Sequence, residues 1–390
     1  MPTTSFNPFL SKPSRLVANS SILGRIKDPF VFQKNLDRIA GFISPVAGVK
    51  IGIGIFIFGF LCATLLSLPW VDQEQAPIDF YFGVAFLFGT GGVCVALWIC
   101  LFTERDHVRE VIQFLSELQN GGATHRLRVR SRSVIVPFII LYWGQNVMQG
   151  LYWGVNLSHT NAIMHAVSNP VLKPLVSALY PVETALLGQM ANVTQVTVFT
   201  TMLVFSVEWS ILGEDIRQAY DEWDFVRIRR AVQDHQKLLE MTMQFRDALK
   251  LYLLLTLQMY FFIITYSCFL MVEQLNKSDG QSLFSVVNIL VAVISLILFG
   301  WFCDLLEDKV NDFGSLVYST EWYNKLIYRS DQAALYRSRK KNFRMVLMRS
   351  QKKIQFTCGN FSDMSLTTSW KVLELCYSSF TLLLAVFKKQ

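Results

Sequence analysis

Two amides, a glycine and an indole share one helical face in an apolar stretch of this chain. Asn146, Gln149, Gly150 and Trp153 fall at steps of three, one and three, and Gln145 adds a third amide beside them. Polar side chains inside a lipid-compatible segment are costly. They are therefore candidates either for function or for hydrogen bonds between helices. A small residue beside two amides and an indole leaves room for a mostly apolar recess with a few directing groups. Phe80, Tyr81, Tyr260, Phe261 and Tyr266 supply aromatic surface in other apolar stretches, where they can equally serve packing or interfacial anchoring. Away from their ends, the halves of the stretches that carry these residues hold no ionised side chain, so a cationic ligand finds no buried carboxylate. The expected pocket lining is Phe80, Tyr81, Asn146, Gln149, Gly150, Trp153, Tyr260 and Phe261. It suits a small neutral molecule held by shape, dispersion and one or two hydrogen bonds.

Other chemistries lack their residues. The five histidines are scattered without an HxxxH or HxxHH cluster, so no metal site of the membrane-desaturase kind is expected, nor any cofactor. The seven cysteines fall at 62, 94, 100, 268, 303, 358 and 376, none in an expected outer loop, which argues against a structural disulfide. Glu104-Arg105-Asp106 has the look of the acidic-Arg motif of G-protein-coupled receptors, but it follows the second apolar stretch rather than the third. An interfacial charge cluster accounts for it. The chain reads as a non-enzyme.

The elements that must position these residues follow from hydropathy and charge. The 390 residues are 52% hydrophobic and 17% charged, against about 25% charged in soluble domains, and the mean hydropathy is +0.35. Seven segments reach the ~20 apolar residues that a bilayer requires: 46–70, 80–102, 134–156, 185–207, 251–272, 284–302 and 366–387. The fourth is interrupted by Gln189, Asn192 and Gln195, and the seventh carries Lys371 and Glu374 near its start. Of the 36 Lys and Arg, seven lie in residues 1–50, six in 104–133, seven in 214–250 and eleven in 305–353. The alternate connections are nearly bare. Cytoplasmic loops retain cations, so the N-terminus is expected in the cytosol and the C-terminus outside. The net charge of +7 then suits an anionic inner leaflet and not nucleic acid. Residues 1–42 contain no apolar core of signal-peptide length, so the first span is expected to direct insertion.

The basic segments look helical. Leu306, Val310, Phe313 and Val317 form one apolar stripe. Residues 214–250 hold fifteen charges but also Trp223, Phe225, Val226, Leu238 and Leu239, as expected of helices that leave the membrane and pack together. No proline follows Pro181, so the later spans should be continuous. The fold expected is an all-α membrane protein of seven transmembrane helices with cytosolic extensions forming an anchor. Its parts are a cytosolic segment (1–45), six spans with their extensions (46–304), anchor helices (305–353) and a final helix (354–390). Asn156-Leu-Ser and Asn276-Lys-Ser are sequons on the expected outer side, whereas a glycan on Asn360 would contradict this topology.

The final helix carries the most specific pattern. Tyr377-Ser378-Ser379-Phe380-Thr381-Leu382-Leu383 resembles the C-terminal signature of insect odorant receptors. Val317-Tyr318-Ser319 followed by Trp322-Tyr323, and Gly359-x-Phe361, resemble that family too, so the motifs cover roughly the last 75 residues. The resemblance implies a ligand-gated, non-selective cation channel. Its last helix would line the pore of a tetramer, and a small volatile odorant would bind among the outer halves of spans two to six. Matching the tail places two apolar gate residues, one turn apart, at Leu382 and Val386. A ring of such side chains can close a pore by dewetting. The family's shared co-receptor has a polar amide where this chain has Ala385, and Lys388 and Lys389 would repel cations near the outer mouth. Both departures fit a ligand-tuning subunit that assembles with the co-receptor as a heterotetramer, and the family resemblance implies the plasma membrane of a sensory neuron dendrite. The rivals are a gustatory receptor channel, whose Thr-Tyr start and Gln-Phe end to the last span are not clear here, and a G-protein-coupled receptor, which the charge topology opposes. A transporter is disfavoured by the lack of an internal repeat.

Overall fold

A computed structural model describes residues 28–32, 89, 91–97, 99–100, 104–121, 125–160, 172–276, 282–326, 328, 333–350 and 353–387. The first expected span, most of the second, and with them Phe80 and Tyr81, lie outside the described residues. The described chain is helical apart from one small hairpin. In order it forms α1 (Arg105–Gly121), α2 (Arg126–Thr160), α3 (Leu172–Asp221), α4 (Phe225–Asn276), α5 (Ser282–Ser319), α6 (Trp322–Lys325) and α7 (Ala333–Ser350). Strands β1 (Thr357–Cys358) and β2 (Ser362–Asp363) precede the last helix, α8 (Leu366–Phe387). Among the described residues three stretches are long and apolar enough to cross a membrane: Thr194–Asp221, Phe225–Phe269 and Ser285–Asn324. The last helix coincides with the expected seventh span.

Length explains the architecture. Helices α3 and α4 have 50 and 52 residues, which is about 75 Å each at 1.5 Å per residue. A hydrocarbon layer is only ~30 Å thick. More than half of each helix must therefore lie beyond it, and the charged ends 214–250 are the parts suited to water. The two helices are joined by a corner at Trp223, whose φ is 54°. Asp224 caps α4 there, its Oδ1 accepting the Val226 and Arg227 N–H groups at 2.9 and 3.3 Å. Helix α5 runs through the expected boundary at 304/305 without a break, so that boundary marks a change of surroundings along one helix. Upstream, α3 starts well before the expected Ala185 and passes through Pro181.

The stripe Leu306, Val310, Phe313 and Val317 is buried. It packs on α3 and α4, with the Phe313 ring 5.5 Å from Trp209 and stacked 4.6 Å from His235. Burial, reinforced by the Arg349 cation, pushes the His235 imidazole down to about 4. Leu238 is buried, and Trp223 and Phe225 pack together at 4.9 Å. Val226 departs from the expected packing. It is 72% exposed, because it points to the outer side of the first turn of α4, whose inner side buries Ile228 and packs Phe225 on the core.

At this basic end a buried polar network ties four segments. Arg128 of α2 pairs with Glu208 of α3 through two parallel bonds, Nε–Oε1 at 2.8 Å and Nη2–Oε2 at 2.6 Å. Gln119 of α1 donates to Glu208 Oε1 at 2.8 Å and accepts at its backbone carbonyl from Arg132 Nη2 at 3.0 Å. Asp28 accepts from the Ser116 hydroxyl and, at 2.8 Å, from the Phe30 N–H.

Helix α8 lies against α4 and α5 and is set there by the segment before it. Gly359 and Asn360 have φ of 56° and 66°; they are the left-handed centre of a tight turn closed by the Phe361 N–H on the Cys358 carbonyl at 3.0 Å, within the three-residue loop between the paired Cys358 and Ser362. The Gly359 N–H donates to the Lys250 carbonyl at 2.9 Å. A Cβ on Gly359 would come within 2.7 Å of the Leu254 side chain, so the hairpin sits close on α4. Glu307 of α5 accepts the Phe356 N–H at 2.5 Å. Burial, opposed by that hydrogen bond and aided by Asp304, Asp363 and Asp308, pushes the Glu307 carboxyl up to about 7. Asp304 then accepts the first N–H of α8, that of Leu366, at 2.9 Å, and Ser365 caps the helix through the Thr368 N–H at 3.2 Å.

Candidate functional site

The middle of the bundle holds a core of aromatic rings with a small polar layer on it. Phe199 of α3 and Phe299 of α5 meet at 4.2 Å between ring centres, and Tyr142 of α2 closes edge-on to Phe199 at 5.7 Å. Phe138 stacks on Tyr142 at 5.7 Å, one turn earlier on α2. From α4, Tyr260 and Tyr252 approach Phe299 at 6.2 and 6.4 Å. Each ring is brought in by an apolar helix face, and offset and edge contacts of this kind add to the area they bury.

The polar layer is uncharged. The Tyr142 hydroxyl donates to Gln195 Oε1 at 2.5 Å, both side chains being buried. The Tyr260 hydroxyl is buried beside Tyr142 and Ser295 but completes no hydrogen bond of normal geometry. Buried hydroxyls grouped in this way can exchange single hydrogen bonds among themselves or with a guest. Tyr252 donates to Thr194 Oγ1 at 3.4 Å. A second polar pair, Asn288 Nδ2 to Ser267 Oγ at 2.7 Å, bridges α5 and α4. It lies seven residues, about 10 Å, further along each helix towards the end away from the basic segments. The arrangement has no nucleophile–base pair. It can accept or donate single hydrogen bonds to a neutral guest within an apolar surround.

The expected lining residues are distributed as follows. Tyr260 belongs to the polar layer. Phe261, about 100° further round α4, is partly buried at the seam with α8, where Cys376 Sγ lies 3.9 Å from its carbonyl. Asn146, Gln149, Gly150 and Trp153 are on α2, and their side chains lie outside the described residues. Among the expected gate residues, Leu382 on α8 is 67% exposed, while the Val386 side chain lies outside the described residues. Sequence reasoning passed over Tyr142, Ser295, Ser267 and Asn288, and treated Gln195 only as a weakness of its span. Gln195 and Asn288 carried the signal that could have found them, an amide inside an apolar segment. Tyr142, Ser267 and Ser295 had none, because a tyrosine or serine in a span is ordinary.

Comparison with known proteins bears on this site. The family described as 7tm Odorant receptor matches residues 93–377. The fold is similar to that of the insect olfactory receptor OR5 from Machilis hrabei, with a TM-score of 0.66 at 12% identity over 87% of this chain and 89% of that one. The same receptor in complex with eugenol aligns with a TM-score of 0.57 at 13% identity, over 86% of this chain and 88% of that one. No curated protein sequence matches this chain. The family profile spans most of the chain, from before α1 through the first half of α8, and includes the four helices that build the aromatic core; the chain belongs to the 7tm odorant receptor family.

Proposed function

We propose that this odorant receptor is the ligand-tuning subunit of an odorant-gated, non-selective cation channel in the plasma membrane, with its basic end in the cytosol. The observation that carries the reading is the uncharged polar layer of Tyr142, Gln195, Tyr260 and Ser295. By helical geometry Asn146, Gln149 and Trp153 lie about 6, 10 and 16 Å beyond Tyr142, within about 40° of its direction round α2. A guest above the layer would meet the Tyr260 hydroxyl below and the amides and indole along one wall. Gly150 would leave space in that wall, and Phe80 and Tyr81 would add aromatic surface, whereas Phe261 faces the seam with α8. A small neutral volatile meets these groups without a charge to neutralise. The likeness in fold to a receptor solved with eugenol is consistent with such a guest.

The pore is proposed to run along α8. Trp370, Tyr377 and Leu382 are exposed on this helix, which supports a partner surface beyond α4 and α5. Leu382 and Val386 would form the gate. Ala385, Lys388 and Lys389 favour assembly with co-receptor subunits that supply most of the permeation path. Ligand binding would then act by stronger contacts in the open state.

The experiment is current recording under an odour panel, with and without the co-receptor. Odour-gated current is expected only on co-expression. Robust current from this chain alone removes the subunit assignment, and second-messenger dependence favours a G-protein-coupled mechanism instead. Tyr260→Phe and Trp153→Ala should shift the dose response of active odorants while surface expression holds. Unchanged dose responses across active ligands reject the pocket.

A further inference from the structure

The basic run at the start of α2 divides by helical position. Arg128 and Arg132, four residues apart, turn inward to Glu208 and Gln119. Arg126 and Arg130, also four apart, lie on the other side of the helix, and Arg130 borders a crevice between α2, α3 and α5. The crevice has a volume of about 220 Å³. Its walls are Val134 and Phe138, Leu203, Trp301 and Leu305, and Lys309 joins Arg130 at its basic end. Val134 is 42% exposed, and Phe138, Leu203, Trp301 and Leu305 are each partly exposed, so the cleft is open along its side.

Three serines reach this cleft, and each spends its hydroxyl on its own helix. Ser131 donates to the Arg128 carbonyl, Ser206 to that of Met202 and Ser210 to that of Ser206, each at 2.9 Å. The walls therefore offer a guest apolar contact, with cationic groups at one end. From Arg130 to Phe138 the cleft follows about 12 Å of helix, against the ~15 Å of one leaflet's hydrocarbon. It is too small for a helix, which is about 10–12 Å across. A neutral odorant would gain nothing from the Arg130 and Lys309 charges. The acidic residues nearby, Asp308 and Asp312 on α5 and Glu214 on α3, sit at or beyond the same basic end rather than in the cleft.

We propose that this crevice is a binding site for an anionic phospholipid of the leaflet at the basic end. One acyl chain would lie between Phe138, Leu203 and Leu305, and the headgroup phosphate and carboxylate would meet Arg130 and Lys309, with Arg126 one turn away. The site shares the Phe138 ring with the aromatic core, where it stacks on Tyr142 at 5.7 Å, but its charged groups are those of the basic end, and it does not depend on the identity of the odorant.

Trp301 in the cleft wall supplies the readout. The full-length chain is reconstituted in phosphatidylcholine vesicles, with phosphatidylserine or phosphatidylcholine carrying brominated acyl chains added in increasing fraction. The Trp301 signal is the fluorescence of the wild-type protein less that of Trp301→Phe. Two interfacial cations predict about a tenfold to thirtyfold preference for brominated phosphatidylserine in quenching this signal. Arg130→Gln with Lys309→Gln should abolish the preference, and Lys309→Arg should keep it. Equal quenching by the two lipids in the wild type overturns the proposal without recourse to any variant. So does a preference that survives in the folded double variant, or a Trp301 signal that neither lipid quenches.

Discussion

Replacing Glu208 by Gln removes one charge from the network that joins the Asp28 segment, α1, α2 and α3, and leaves the side-chain shape nearly intact. In the native protein Glu208 accepts two bonds from Arg128 and one from Gln119, and its side chain is 4% exposed. The Arg128 side chain is 11% exposed, so solvent screens the pair little. Gln can accept at only one of its two positions, so Arg128 would keep a full charge in a buried setting with half its partner gone. Breaking a buried pair from one side costs about 3–5 kcal/mol. At the ~2–4 °C per kcal/mol of a 150–250-residue domain, and at the lower end of that range for a longer chain, the melting temperature should fall by about 6–10 °C. The assay is thermal melting of the purified receptor in detergent, with surface delivery measured in parallel. Arg128→Met should cost a similar amount. The paired variant Arg128→Met with Glu208→Leu should melt above either single variant, because neither charge is then left alone. Single variants that melt within 1–2 °C of wild type, or a paired variant as low as the sum of both, would refute the reasoning.

Gly300→Ala should be destabilising by about 1–3 kcal/mol, because its Cβ would fall 2.5 Å from Ser369 Oγ and 2.7 Å from the Ser365 carbonyl, at the joint between α5 and α8. Melting temperature and odour-gated current should fall together, since that joint holds the proposed pore helix. His235, held at about 4 against about 6.5 in the unfolded chain, makes the unfolded state bind the extra proton between those values. Its contribution to stability is complete above pH ~6.5 and is lost as pH falls towards 4. Glu307, raised to about 7 from an ordinary 4.5, acts in the opposite sense: its contribution is complete below pH ~4.5 and is lost as pH rises through 7. The two slopes offset each other where they overlap. Glu307→Gln should expose a loss of melting temperature on acidification from pH 6.5, His235→Phe should expose a loss on raising pH from 4.5 to 7, and melting curves across pH check both signs.

Several parts of this protein were legible from local patterns. The apolar stretches on α3, α4 and α5, the stripe Leu306–Val317 and the bounds of the final helix followed from hydropathy and periodicity, because each concerns one helix and its immediate solvent. The tail Tyr377–Leu383 indicated the family for the same reason, as a run of neighbours in sequence. The site was legible in part. Tyr260 was found through its type, whereas Phe261, its neighbour in sequence, belongs to the seam with α8. Which face of α4 points where is set by α5 and α8, and periodicity within a mixed aromatic run does not reveal it. Val226 shows the same limit, since it has the type of a core residue but lies on the outer side of a turn whose inner side holds Phe225 and Ile228.

The sequence by itself determined that the chain is helical, membrane-embedded and asymmetric in charge, because hydropathy, length and Lys/Arg distribution act residue by residue against a solvent of fixed thickness. Tertiary structure decided the rest. It selected Arg128 and Arg132 for a buried network while leaving Arg126 and Arg130 on the other side of α2. It also brought Tyr142, Gln195, Tyr260 and Ser295 from four helices into one uncharged layer. Residues up to 153 positions apart can share a hydrogen-bonding layer only when packing fixes the rotation of each helix. That rotation is a property of the whole bundle, written in no single segment.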